Sequence, residues 1–272
     1  MSTDEVNTTF VQGNLTSRDL ASRFEVSAST INRRLRRKYF HSLPEINVRK
    51  VVVMMDATYW GRHFGVVIFK DAISGIVLWY KFISRKETVA NYKEGVDYLL
   101  SRGFSIVAVV CDGLRGLRNI FTDCKFQLCQ FHQVMTIRTK LTLHPKLEAS
   151  IELLELSRLL CHTDKESFVG AFGDGENRWH DFLAERSVDA SGKTHYVHKR
   201  LRSAYLSLKR NMPWLWTWYD FPELEIPNTN NALESLNSDL KAKLNLHRGM
   251  TRERRKVFIQ DFLKAYNPLK NK

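Results

Sequence analysis

The sequence predicts an α/β chain: a mixed sheet with an all-helical insertion, preceded by a small N-terminal helix-turn-helix unit. Three observations carry this. Apolar, β-branched runs recur between Arg49 and Cys129, interrupted by an amphipathic stretch, and that alternation is α/β order. Residues 145–224 are helical in texture, as in LEASIELLELSRLLC, with DGENRW and SVDASGKTH as loops. Ahead of the sheet, TSRDLASRFEVSASTINRRLRRK sets two amphipathic segments around a tight turn.

The first ten residues, MSTDEVNTTF, are polar and acidic and make no signal peptide. Thr16 or Ser17 then caps a helix with Asp19 in its first turn, where the dipole favours an acid. Leu20, Ala21 and Phe24 form its inner face, and small Ala21 permits close approach of a second helix. Glu25-Val26-Ser27 is the turn, and Ser27 caps the second helix. Ile31 and Leu35, four apart, anchor that helix on the first. Ser29, Asn32, Arg33 and Arg36 project outward, available to base edges and phosphates. The pattern resembles DNA-binding motifs of the form T-x-x-L-A-x-x-x-G-V-S-x-S-T-V-x-R-x-L, with Glu25 standing where glycine is usual. An ordinary helical hairpin has the same grammar. His41 to Lys50 reads as a linker in which Pro44 stops helix continuation.

KVVVMMDATYW is the first strand, ending at Asp56. HFGVVIFKDAISGIVLWYKFIS reads as two more, joined at Asp71-Ala72-Ile73-Ser74-Gly75. ETVANYKEGVDYLLSRG is a helix: Val89, Tyr92, Val96 and Leu99/Leu100 form its stripe and Gly103 stops it. FSIVAVVCDG is a buried strand ending at Asp112, a further helix follows, and KFQLC is a short fifth strand.

Asp56 and Asp112 each follow a run of apolar strand residues. Each alone suits the cap of the following turn, and Asp112-Gly113 is a common turn dipeptide. Brought together on adjacent strands, two carboxylates repel unless a cation intervenes. Late in the chain, NTNNALESLNSDLKAKL puts Leu233, Leu236, Leu240 and Leu244 on one helix face. Asn230, Glu234, Asn237, Ser238 and Lys241 fall on another. A solvated face accounts for the second set; so does a third metal-binding acid among orienting amides. Asp56, Asp112 and Glu234 are hard oxygen donors suited to Mg²⁺, with Mn²⁺ as substitute, and not to zinc. Such a set is the donor group of a two-metal phosphoryl-transfer site.

The 272-residue chain has a formal net charge of +13, which points to a polyanion. RRLRRK, from Arg33 to Lys38, holds five basic residues in six; Lys193 to Arg210 has six and no acid; Lys241 to Lys272 has ten against Glu253 and Asp261. Three separated runs make a nucleic-acid track, and no matching amphipathic anchor accompanies them for a membrane surface. No apolar run approaches the roughly 18 residues of a membrane helix. Cys111, Cys124, Cys129 and Cys161 have no framework spacing and read as reduced thiols of a cytosolic protein. Cys129 and His132 are spaced like half a zinc site, which Cys161-His162 could complete only with poor geometry. The aromatic run Trp214 to Phe221 reads as core packing, or as a stacking surface for an unpaired base.

DATYWG, VVCDGLRGL, LCQFHQV and NTNNALESLN, in that order, resemble bacterial insertion-sequence transposases of the Mutator-like group, over about Val51 to Gly249. These are DDE enzymes on a ribonuclease H-like fold with a helical insertion. With the residue reading of the N-terminus, this divides the chain into a helix-turn-helix unit over 1–45, core over 46–144, insertion over 145–224, and the last part of the core with a basic tail over 225–272. The resemblance implies Mg²⁺-dependent cleavage at transposon ends and attack of the freed 3′-hydroxyl on target DNA, with Asp56, Asp112 and Glu234 as the triad. Cys129 and His132 become structural or near-catalytic. Implied partners are double-stranded DNA, both terminal inverted repeats and target, and further copies of the chain, as a homodimer or higher oligomer on DNA. Two alternatives stand beside it: a helix-turn-helix regulator without catalysis, and a ribonuclease H-like nuclease or resolvase that cuts without joining.

Overall fold

A computed structural model of the chain describes residues 2–36, 49–247 and 249–270. Arg37, Lys38, and the expected linker and domain boundary up to Val48 lie outside the described residues. Among the described residues no helix is long and apolar enough to cross a membrane.

The N-terminal unit has three helices where the sequence predicted two: α1 (Thr3–Gln12), α2 (Ser17–Arg23) and α3 (Ala28–Leu35). Polar composition hid α1, yet Val6, Phe10 and Val11 share one face and are buried. Ser2 and Glu5 close a reciprocal capping box at its start. Thr16 and Asp19 do the same for α2, and the Ser27 hydroxyl accepts from Thr30 N–H at 3.2 Å to start α3. Leu20 and Ile31 are fully buried between the two helices. Glu25 adopts a left-handed φ of 51°, the conformation for which related motifs carry glycine.

The sheet is built from β1 (Lys50–Tyr59), β2 (Gly65–Asp71), β3 (Val77–Ile83), β4 (Ser105–Cys111) and β5 (Lys125–Leu128), in the order β3-β2-β1-β4-β5. β1–β2 and β2–β3 pair antiparallel and β4–β5 parallel, so the sheet is mixed. The β2–β3 turn forms where expected: Asp71 Oδ2 accepts from Ser74 N–H at 3.1 Å and Gly75 takes φ 70°. Helix α4 (Val89–Ser101) buries Tyr92, Gly95, Val96 and Leu99. A Cβ on Gly95 would meet the Phe69 and Trp79 rings at 2.7 Å, so glycine sets how closely α4 lies on the sheet. Leu100, expected in the stripe, is exposed. The helix expected between β4 and β5 is a single 3₁₀ turn, Leu117–Ile120.

The chain divides into two compact units, and the division falls within β4. Unit 2, Ala108–Asn230, contains α5 (Gln130–Leu141), α6 (Glu148–Leu159), α7 (Lys165–Arg178), α8 (His180–Ala184), β6 (Arg186–Val188), β7 (Thr194–Tyr196), α9 (Lys199–Leu215) and α10 (Thr217–Asp220). The insertion is therefore not all-helical. β6 and β7 form a hairpin whose turn is held by Asp189 Oδ1, which accepts from Ser191 and Lys193 N–H at 2.9 and 3.0 Å. Three residues per strand are too few to show alternation in the sequence. Trp216 and Phe168 lie in the unit's core, with Trp214 and Trp218 packed against it.

Unit 1, Met1–Val107 with Asn231–Lys272, is closed by α11 (Asn231–Leu246) and α12 (Arg252–Lys270). α11 packs on β1 and buries Leu233, Leu236, Leu240 and Leu244, the predicted stripe. The segment expected as a basic tail is a helix, and Phe258, Ile259, Phe262 and Leu263 of α12 are buried. The Asn267 side chain donates to Val77 O at 3.0 Å and accepts from Val77 N–H at 2.9 Å, completing the edge of β3. Phe10 of α1, His247 and Phe258 form one ring cluster, and Gln12 Nε2 donates to Ala265 O at 3.3 Å.

Candidate functional site

β1 is buried from Val51 to Met55, and its burial breaks at Asp56, which is half-buried and sits opposite Ile68 on β2. α11 meets the strand there. Asn237, only 5% exposed, donates through Nδ2 to Asp56 Oδ2 at 2.8 Å. Glu234 lies one helical turn earlier on the same face and is half-buried. The buried Lys70 ammonium donates to Ala232 O at 2.8 Å and ties the first turn of α11 to β2. Unit 1 thus brings Asp56 to the helix face that carries Glu234. From the sequence, Asn237 is expected to orient Glu234 and contact the DNA backbone; in the structure its amide bonds Asp56. Lys70 was missed altogether, and its one signal is a lysine inside an otherwise apolar strand.

In unit 2, Asp112 follows the last residue of β4 and is half-buried. Its Oδ1 accepts from Leu114 N–H at 3.2 Å, the turn-cap contact that Asp-Gly sequences favour. Cys129 precedes α5, is fully buried, and accepts from Asn230 N–H at 3.2 Å through Sγ. Its own N–H donates to Cys111 O at 2.8 Å. His132 is half-buried in the first turn of α5, with a ligand atom within 4.8 Å of Cys129 Sγ. Cys161 and His162 bring no third or fourth ligand to that pair. Burial pushes the Cys161 thiol up, away from the thiolate that zinc requires.

The glutamines around the Cys-x-x-His pair are what knit this region. Gln130 Nε2 donates to Leu215 O at 2.9 Å, and Gln130 Oε1 accepts from Asn228 at 3.0 Å. Gln127 donates to the same Leu215 carbonyl at 3.0 Å and accepts from Trp218 N–H at 2.9 Å. Both amides are fully buried, where unmet hydrogen bonds would be expensive.

In the N-terminal unit Ser29, Arg33 and Arg36 are exposed. Asn32 differs from the expectation of an outward side chain: it is half-buried and accepts from Ser17 Oγ at 3.3 Å. It borders a cavity of about 500 Å³ shared with Arg18, His247 and Arg254. Burial, and then the Arg254 charge, hold the His247 imidazole below its usual range.

No family model matches the chain, and no curated protein matches it by sequence. Among solved structures, the Drosophila P element transposase strand transfer complex aligns over 100% of this chain and 93% of that chain, with a TM-score of 0.50 and 9% identity. The fold is transposase-like. At that identity the likeness is one of fold, and with it the five-stranded mixed sheet is ribonuclease H-like. The Mos1 strand transfer complex aligns over 71% of this chain and 78% of that chain, at a TM-score of 0.21 and 14% identity. A simian T-cell lymphotropic virus intasome in complex with a PP2A regulatory subunit aligns over 60% and 69%, at 0.24 and 11%.

The donor set fits a hard divalent ion better than a soft one. Asp56 and Glu234 are carboxylates in a half-buried setting, and one oxygen of Asp56 is fixed by a buried amide. Asp112 has one oxygen in its turn and makes no other protein hydrogen bond among the described residues.

Proposed function

We propose that the chain is a DDE transposase of a bacterial insertion sequence of the Mutator-like group. It cleaves phosphodiester bonds at transposon ends and transfers the freed 3′-hydroxyl into target DNA. The observation that carries this is the Asn237–Asp56 bond, which seats the Glu234 face of α11 against the acid of β1 within a transposase-like fold. The strand transfer complex formed by the Drosophila structural neighbour supports extending the reading to joining as well as cutting.

Asp56, Asp112 and Glu234 are the residues that would hold Mg²⁺ or Mn²⁺. Two such ions supply activation of the attacking oxygen and stabilisation of the leaving one. Asn237 orients the Asp56 carboxylate by donating to Oδ2. Cys129, whose sulfur accepts from Asn230 just ahead of α11, and His132 have a structural or near-catalytic role. The exposed Ser29, Arg33 and Arg36 contact DNA, with Asn32 set back from that surface by its bond to Ser17. Terminal inverted repeats and target DNA are the partners, bound by a homodimer or larger assembly. A DNA-processing function of this kind places the protein in the bacterial cytoplasm, associated with the nucleoid.

The test is Glu234→Gln, assayed for nicking and strand transfer on the element's ends in Mg²⁺ and in Mn²⁺. Glutamine keeps size and removes the charge a hard metal needs, while the buried leucine stripe of α11 is untouched. Both reactions should fall by orders of magnitude in a folded protein. A folded variant that cuts at the parent rate in both metals removes Glu234 from the site. A parent chain that nicks and never joins makes the protein a nuclease or resolvase instead.

A further inference from the structure

In unit 2, the turn after α5 and the beginning of α9 border an open cavity of about 470 Å³. Lys140, Lys146, Lys199 and Arg200 line it, and no aspartate or glutamate does. Among the described residues none of these four forms an ion pair within 4 Å, although Lys199 acts on Asp189 through space and the neighbouring His198 bonds Glu185 at 2.9 Å; Lys140 Nζ donates to Ser203 Oγ at 2.6 Å. Four cations gathered in a concavity without a carboxylate repel one another, and an anion relieves that repulsion.

The backbone adds to the same field. α6 and α9 both begin at the cavity, behind Leu147 and His198, and neither residue supplies a side-chain cap. Their first N–H groups therefore lack side-chain acceptors, and both helix dipoles present their positive ends. The one acid in these first turns, Glu148, does not line the cavity.

Ser150, in the first turn of α6, also lines the cavity and brings a hydroxyl to its wall; the residue is 5% exposed.

The positive strip continues beyond the cavity. Arg186 and Arg202 both stack on the Tyr196 ring, at 4.5 and 4.0 Å from its centroid. An extended strip suits an extended polyanion better than a single small anion. We propose that this cavity is a phosphate subsite which holds one backbone phosphate of duplex DNA. Lys199, Arg200 and Lys146 supply the charge, and the Ser150 hydroxyl with the first N–H groups of α9 supplies the hydrogen bonds. The subsite belongs to unit 2 and rests on the DNA-processing function proposed above.

The experiment uses the full chain. Binding of element-end duplex is measured over a salt titration for the parent, for Lys199→Ala/Arg200→Ala, and for Ser150→Ala. Lys165→Ala, outside the basic runs and with its ammonium already paired with Asp220 at 2.6 Å, serves as the charge control. Each phosphate neutralised contributes about 0.9 to the slope of log affinity against log salt. The double variant should lose affinity at low salt and flatten the slope by about 1. Ser150→Ala should weaken binding several-fold at fixed salt with the slope unchanged, and Lys165→Ala should match the parent. In a second arm, inorganic phosphate is added without DNA. It should raise the melting temperature of the parent and not that of the double variant. A folded double variant with parent affinity and slope overturns the DNA assignment, even if the parent transposes normally. If the parent does not bind DNA, the proposed function fails first. A phosphate-dependent melting shift confined to the parent then still supports an anion subsite, and its absence overturns that too.

Discussion

Removal of the Asn237 amide isolates the contribution of one contact to the candidate site. Asn237 Nδ2 and Asp56 Oδ2 are 2.8 Å apart, and Asn237 is 5% exposed. Hydrogen bonds to a charged group contribute about 1.5–3 kcal/mol net, and 1.4 kcal/mol is a tenfold change in an equilibrium or a rate. Asn237→Ala should therefore lower cleavage by about 10- to 150-fold, or raise the Mg²⁺ midpoint by a similar factor. Nicking rates across a Mg²⁺ titration separate the two, because a displaced Asp56 moves the midpoint while a misplaced phosphate lowers the plateau. Ser238→Ala, exposed on the adjoining position of α11, should leave both unchanged. Asn237→Asp places a second carboxylate against Asp56, with a repulsion of about 4 kcal/mol at an effective dielectric of 20. That variant should melt lower than the parent and recover when Mg²⁺ is added. A folded Asn237→Ala protein with parental rate and Mg²⁺ midpoint would falsify the positioning role.

Asn267→Leu should cost about 2–5 kcal/mol in chemical denaturation, because it strands the N–H and C=O of buried Val77. Glu25→Gly should raise stability by about 1 kcal/mol, since glycine takes the φ of 51° without the left-handed penalty; a lower melting temperature would show that the Glu25 side chain contributes more than its strain. His247 is held neutral by burial and by Arg254, so its folded value lies below 6.5. The unfolded chain then binds the proton more readily, and this stability is complete above pH 6.5 and is lost as pH falls through that value and on toward the folded one. His247→Leu should flatten the pH dependence of melting on the acid side of 6.5, and an unchanged profile would remove His247 as its source.

Local chemistry carried much of the fold into the sequence. Thr16, Ser27 and the Asp71–Ser74 turn act through neighbours within three residues, so caps and turns were readable. The leucine stripe of α11 was readable for the same reason, because periodicity is a local signal. Elements whose stability comes from distant partners were not. α1 and α12 look polar or basic taken singly, and their apolar faces make sense only against each other and against β3. At the site, the end of the apolar run at Asp56 was legible, but β1 continues three residues further to Tyr59, so the acid is inside the strand and not at its end; its amide partner Asn237 lies 181 positions away. Cys129 and His132 drew attention as potential ligands. The buried glutamines beside them do the cross-linking, and a glutamine in a sequence announces neither burial nor partner.

The bond between Gln12 and Ala265 spans 253 positions, and it bears on the order in which the protein is made. Unit 2 is one continuous stretch with its own core, available as soon as residue 230 has emerged from the ribosome. Unit 1 is interrupted, and the helices that cover β1 and β3 are synthesised last. Its first three strands emerge before the leucines of α11 and the phenylalanines of α12 exist to cover them. Such a strand layer is exposed to mispairing in the interval, and wide sequence separation slows its closure. A nascent chain halted before α11 therefore presents a completed second unit beside an open sheet. It is in that interval, more than in the finished molecule, that a chaperone has apolar surface to hold.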